Sequence, residues 1–202
     1  MLSRKGRRRT VPNSGGLLGQ AVMLRSQPSD LAAREAARFS ARKEPSVIRP
    51  TVPADTRALL ALTAQTGVFK PHEIQALDEV LADFHATNCR LGHFSVTFEK
   101  GHEILGFAYY APAAMTDRTW YLYWIAVTKQ IQAKGIGSTL LKYVEDSVRE
   151  QRGRLLLIET SSLPYYELTR KFYLKHGYDE TATIADFYAE GDSMVVYAKR
   201  FD

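Results

Sequence analysis

Residues 120–127 read WYLYWIAV, residues 128–134 read TKQIQAK, and residues 135–151 read GIGSTLLKYVEDSVREQ. An unbroken apolar and aromatic run of strand length describes a strand buried on both faces. Beyond the loop, Ile136, Leu140, Leu141, Val144 and Val148 recur at helical spacing and form one stripe, which predicts a helix from Gly135 to about Gln151. The junction places Gly135 and Gly137 at the start of that helix. Glycines let a backbone approach a ligand closely, and the first-turn N–H groups, unpaired within a helix and carrying partial positive charge, make a seat for a pyrophosphate. A pair of glycines also serves a plain tight turn. The dinucleotide fingerprint would need a third glycine where Leu140 stands, and a P-loop would need Gly-Lys-Ser/Thr, which is missing.

Outward from this unit, helix and strand signals alternate. Residues 155–160, apolar from Leu155 to Ile158, form a second strand, and residues 164–176 a helix stopped by Gly177, completing a βαβα order whose crossover is expected to be right-handed. Upstream, a short strand over 47–51 precedes a helix from Pro53 to about Gln65, and Pro71 opens a helix with Ile74, Leu77, Val80, Leu81 and Phe84 on one face. Residues 94–99 and 104–111 read as a hairpin, and 178–184 with 194–201 as a closing antiparallel pair. The sum is an α/β (α+β) domain over 46–202, with a mixed central sheet of about seven strands and about four helices.

Composition narrows the classes. The chain has 202 residues, 45% hydrophobic and 24% charged, which excludes a disordered, collagenous or disulfide-framework protein. No run reaches the length needed for a membrane span. The net charge of +5 suggests nucleic acid until it is divided. Residues 1–46 hold ten Lys/Arg against Asp30, Glu35 and Glu44, whereas the remainder is slightly acidic. The basic character therefore belongs to an N-terminal arm, residues 1–45, expected to be largely disordered apart from a short helix over 30–43. No specific nucleic-acid binding is expected of a body without a positive field. Cys89, the single cysteine, has no partner for a disulfide or a cysteine metal site, so a reducing, cytoplasmic setting and no metal are expected.

The constellation resembles the GNAT acetyltransferase superfamily. Its coenzyme motif, Gln/Arg-x-x-Gly-x-Gly/Ala after a strand ending apolar-x-Val, is similar to Ile125, Ala126, Val127 followed by Gln132, Ala133, Lys134, Gly135, Ile136 and Gly137. Its Phe-Tyr-x-x-x-Gly-Phe/Tyr signature is similar to Phe172, Tyr173, Gly177 and Tyr178. The resemblance spans about residues 47–201. It implies acetyl-CoA as co-substrate, with the backbone of Ile125, Ala126 and Val127 pairing with the pantetheine arm and the amides from Lys134 to Ser138 holding the pyrophosphate. It also implies a main-chain N–H near Val127 for the oxyanion, and N-acetyl transfer to a primary amine in a ternary complex. The acceptor is either a small molecule or a peptide N-terminus. A non-catalytic acyl-CoA sensor using the same pocket is the alternative.

Amine acetylation needs a neutral nucleophile and a proton for the departing thiolate. Tyr173, placed in the signature, is the candidate acid. Tyr166, Thr169 and Tyr173 share one helical face, with Tyr166 assigned to the coenzyme, beside an expected core stripe of Tyr165, Leu168 and Phe172. Many relatives carry a glutamate where this chain has Tyr123, so the base is sought elsewhere. Glu159, at the end of a parallel strand and the only acid in its run, is the candidate. Phe69, Tyr110, Tyr123, Asp186 and Tyr188 are the candidate acceptor-site residues. A homodimer is left open.

Because every chemical motif follows Val47, a protein lacking residues 1–45 should fold, bind acetyl-CoA and keep its turnover of a small neutral amine. Its pI and its salt-sensitive adsorption to polyanions should fall. Loss of acetyl-CoA-induced thermal stabilisation in that truncated protein would show that the arm belongs to the domain.

Overall fold

The two apolar runs on either side of the glycines become adjacent parallel strands with an amphipathic helix crossing between them. In the computed structural model, which describes residues 45–129 and 135–201, seven strands form one sheet: β1 (Ser46–Pro50), β2 (Phe94–Lys100), β3 (Glu103–Pro112), β4 (Thr119–Val127), β5 (Leu155–Ser161), β6 (Asp179–Ala189) and β7 (Asp192–Arg200). The helices are α1 (Thr56–Thr66), α2 (Pro71–Ala86), α3 (Ile136–Glu150) and α4 (Glu167–Lys175). The helix read over 30–43, the rest of the basic arm, and Gln132, Ala133 and Lys134 lie outside the described residues. Sheet order is β1-β2-β3-β4-β5-β7-β6, with β4–β5 the one parallel pair. Among the described residues no helix is long and apolar enough to cross a membrane.

Each face of the sheet buries its own cluster. Leu140, Leu141, Val144 and Val148 of α3 pack on Tyr110, Trp120, Leu122, Leu156 and Ile158. On the other face, Leu59 and Leu62 of α1 and Leu77 and Leu81 of α2 cover Phe107 and Ala126. Full burial of each such side chain contributes about 1.5–3 kcal/mol, so the helices are held by these stripes rather than by their propensity. Two polar ties fix the helices in place. Arg49 on β1 donates to both Asp55 oxygens (2.7 and 3.0 Å) and to Glu99 (2.7 Å), anchoring the turn before α1. Lys199 on β7 donates to both oxygens of Glu145 on α3 (3.0 Å each) and to the carbonyl of His176 beyond α4 (2.8 Å).

Three local departures from the sequence reading matter. First, β4 is not buried on both faces along its length. Tyr109 pairs with Trp124 but Tyr110 pairs with Leu122, leaving Tyr123 as an extra, bulged residue that is 52% exposed. A bulge bends its strand and increases the twist. Accordingly β4 and β5 pair only from Thr119–Leu155 to Leu122–Ile158, and past that point the ladder ends. Second, a single 3₁₀ turn (Pro164–Tyr166) precedes α4, and three residues per turn shift the helical phase. Leu168, expected in the core, is 79% exposed, while Tyr173 is the buried residue of α4. Third, β6 continues to Ala189, with its ladder to β7 interrupted after Ile184 and resumed at Ala189, and with Asp186 at φ +52° within the interruption.

Candidate active site

Where β4 leaves β5, a cleft of about 410 Å³ opens. One wall is the end of β4. The Thr128 N–H donates to the Leu105 carbonyl (2.9 Å), so strand alternation turns the main chain of Ala126 towards β3 and that of Ile125 and Val127 towards the cleft. The other wall is β5 from Ile158 to Ser161, with α4 beside it. A strand edge beyond the end of its ladder is suited to an extended chain bearing amides in a row.

The start of α3 adjoins this edge. Gly135 sits at φ +89°, a left-handed conformation that favours glycine. Gly137 is different. Its backbone is helical, and a Cβ there would meet the Phe172 ring at 3.6 Å, an ordinary contact. Protein packing does not require glycine at 137, and the N–H groups of Ile136, Gly137 and Ser138, in the first turn, have no acceptor within the helix. A pyrophosphate fits this donor set in charge and in hydrogen bonding. The Ser138 hydroxyl, by contrast, is engaged. It donates to Nε2 of His176 (2.9 Å), whose Nδ1 faces the Phe172 carbonyl (2.7 Å) and therefore carries the proton. This pair ties the start of α3 to the end of α4. Among the described residues no group of three His, Cys, Asp or Glu could hold a metal ion.

Tyr173 is 4% exposed yet lines the cleft, and its ring is wedged between Phe172, Tyr178 and Tyr197. Its hydroxyl makes no hydrogen bond among the described residues, and burial pushes it well above the ordinary phenol range, so it stays protonated at neutral pH. Glu159 stands opposite on β5, exposed to the cleft. Burial and then the Glu159 charge raise Tyr121. Burial, then Tyr121 and Glu159, raise Tyr123. Both phenols are therefore neutral neighbours of a carboxylate.

The cleft is closed on one side by the segment after α1. Phe69 packs on Trp124 with ring centroids 5.3 Å apart. The Tyr166 hydroxyl donates to the Val68 carbonyl (3.2 Å), and the Lys70 ammonium lies 3.4 Å from Asp192 Oδ2. Glu73 accepts the Lys70 N–H (2.5 Å) and so caps α2. Of the residues expected at an acceptor site, Phe69, Tyr123 and Tyr188 line the cleft. Two assignments are corrected. Tyr110 is buried against α3, its hydroxyl donating to Ser147 (2.9 Å), because neighbouring strand residues point to opposite faces and Tyr109 takes the other one. Asp186 is spent on the hairpin, accepting the Gly191 N–H (2.8 Å), and does not line the cleft. Tyr166 lines the cleft, its hydroxyl turned to the Val68 carbonyl.

Lys70, Glu73, Trp124 and Asp192 line the cleft without having been singled out from sequence. Only Asp192 had a local signal, directly after the hairpin glycine Gly191.

A family model described as an acetyltransferase (GNAT) domain matches residues 90–180. No curated protein matches the chain. Among solved structures, a candidate acetyltransferase of the GNAT family from Desulfovibrio desulfuricans is 32% identical, with TM-score 0.74, covering 77% of this chain and 99% of its own. An N-acetyltransferase from Staphylococcus aureus Mu50 shares the fold at 20% identity and TM-score 0.65, covering 77% of this chain and 98% of its own. So does a Thermoplasma acidophilum PaiA N-acetyltransferase in complex with coenzyme A, at 15% identity and TM-score 0.62, covering 78% of this chain and 99% of its own.

Replacing Gly137 by Glu should abolish acetyl-CoA binding in calorimetric titration while leaving the thermal unfolding transition cooperative. The added carboxylate would occupy the bare face of α3 and repel a pyrophosphate. Retained affinity in a folded Gly137→Glu protein would place the phosphate seat elsewhere.

Proposed function

Since the chain belongs to the GNAT acetyltransferase family, we propose that it transfers the acetyl group of acetyl-CoA to a primary amine by direct attack while both substrates occupy the cleft. One juxtaposition carries this reading: the Ile125–Val127 end of β4 lines one cleft with Tyr173 and Glu159, and the first turn of α3 adjoins that strand end, Gly137 lying against Val127 and Phe172. When bound, the coenzyme supplies an activated acetyl thioester. The residues that would hold it are the β4 backbone at Ile125 and Val127 and the amides of Ile136, Gly137 and Ser138.

The chain's own groups then manage two protons. An alkylammonium has an ordinary pKa near 10.4, so the acceptor must be deprotonated before its lone pair forms the new C–N bond. Glu159 accepts that proton, directly or through a water, and the neighbouring phenols of Tyr121 and Tyr123 hold no competing negative charge. As the C–S bond breaks, the thiolate takes the Tyr173 proton. A phenol kept neutral by burial is suited to that task because it donates only when a strong base forms beside it. Positioning two substrates in one cleft supplies much of the remaining acceleration. The lone exposed cysteine, Cys89, supports the cytoplasm as the place of action.

Tyr173→Phe should lower kcat by about 10²- to 10⁴-fold at neutral pH while acetyl-CoA affinity stays within about threefold, since only the transferable proton is removed. Thiol release from acetyl-CoA, followed with DTNB, measures the first, and calorimetry measures the second. Wild-type turnover in the variant would make Tyr173 a packing residue.

A further inference from the structure

The acceptor end of the cleft holds more negative charge than acetyl transfer uses. Glu73 on α2, Glu159 on β5 and Asp192 at the start of β7 line it from three separate elements, and Lys70 is the one lysine or arginine among the described lining residues. Their convergence registers on their neighbours. The Tyr188 phenol is pushed up to about 12, first by burial and then by Glu159, Asp192 and Glu73, and Tyr166 is raised by burial and by Glu73 and Asp192 among its neighbours.

Asp192 is the deepest of the three, at 4% exposure. One carboxylate oxygen takes the Ser161 hydroxyl, and the other faces the Lys70 ammonium at 3.4 Å. That separation is long for a charge-assisted bond, which usually spans about 2.7–2.9 Å, and the lysine side chain is 41% exposed. A buried carboxylate needs a cation beside it, because an unpaired one bears its full desolvation cost. Here the cation is supplied loosely, by a side chain with room to swing into solvent. The aromatic rings of Phe69, Trp124, Tyr166 and Tyr188 complete the lining, and ring faces attract ammonium groups.

We infer that the acceptor carries a second, non-reacting ammonium group, and that Asp192, with Glu73 on the same side of the cleft, binds it in the place the Lys70 ammonium otherwise holds. The substrate class is a small diamine or polyamine. A cleft of about 410 Å³ accommodates such a molecule. The inference rests on the acetyl-transfer reading above. In it Glu159 receives the proton of the attacking nitrogen while Asp192 fixes the far end, so the two carboxylates select for separated amines.

The full chain is assayed with acetyl-CoA and four acceptors: 1,4-diaminobutane, n-butylamine, 4-aminobutanoate and trialanine amide. The diamine should exceed n-butylamine in kcat/KM by about 10- to 100-fold, the range of one charge-assisted contact, with 4-aminobutanoate slowest. That ratio should fall to within about threefold in Asp192→Asn. Lys70→Ala should lower the KM for the diamine by about 3- to 10-fold, because the resident cation no longer competes. A purely structural Lys70–Asp192 clasp would raise it instead, so Lys70→Ala decides the matter even if Asp192→Asn fails to fold. A kcat/KM for n-butylamine or trialanine amide equal to or above that of the diamine would overturn the inference while leaving acetyl transfer intact. Absence of turnover with every amine, in a protein that acetyl-CoA still stabilises against heat, would overturn the acetyl-transfer reading and the inference with it.

Discussion

The parting of β4 from β5 is the constraint on which the molecule's chemistry depends. A parallel pair in the middle of a sheet would normally remain bonded along its length and leave no room for a ligand. One extra residue, Tyr123, breaks that continuity. Below it, Trp120 and Leu122 pack with Leu156 and Ile158 under α3, and above it the inward and outward faces of β4 exchange, with Trp124 and Ala126 joining the α1–α2 cluster. The bulge thus opens the cleft and ends the β4–β5 ladder. It also leaves α3 anchored beside that end of β4, since the apolar stripe of α3 is buried on the part of the pair that remains joined.

Electrostatics differs between the cleft and the helix start beside it. Around the glycine turn, helix amides present positive partial charge. The cleft holds three carboxylates, with Lys70 the one lysine or arginine among the described lining residues, interleaved with phenols that burial keeps protonated. Such an arrangement suits an anionic carrier at the helix start and, in the proposed reading, a cationic acceptor in the cleft. Buried phenols suit the middle of the site because they donate hydrogen bonds without adding charge.

Most of the scaffold was legible in the sequence, because each long element carries its own period. The α3 stripe, the apolar run of β5 and the proline start of α2 all specify their states locally, and the structure follows them to within a few residues. What local pattern could not show was anything decided between elements. No glycine or proline marks the bulge at Tyr123. Two consecutive tyrosines, Tyr109 and Tyr110, must face opposite sides, but alternation alone does not say which side holds the site. Asp186 reads as a free acid until the hairpin backbone is seen to claim it. Lys70, Glu73 and Asp192 meet only after the segment beyond α1 folds against the far edge of the cleft, and no spacing records a contact between residues 70 and 192. The glycine seat and Tyr173 could be singled out because they sit within contiguous motifs.

A second depression, lined by Leu155, Leu157, Thr181 and Ala198, offers a cavity of comparable size of about 450 Å³ and so provides a direct contrast. Amide hydrogen exchange of the full chain, with and without saturating acetyl-CoA, separates the two. Slowed exchange is expected at residues 124–127 on β4 and 136–139 at the start of α3, with β6 unchanged, because the ligand would occupy the open edge and the first-turn amides. Protection confined to residues 155–157, 179–181 and 198–200, with β4 and α3 exchanging as in the free protein, would contradict the claim that the parted strands form the coenzyme site.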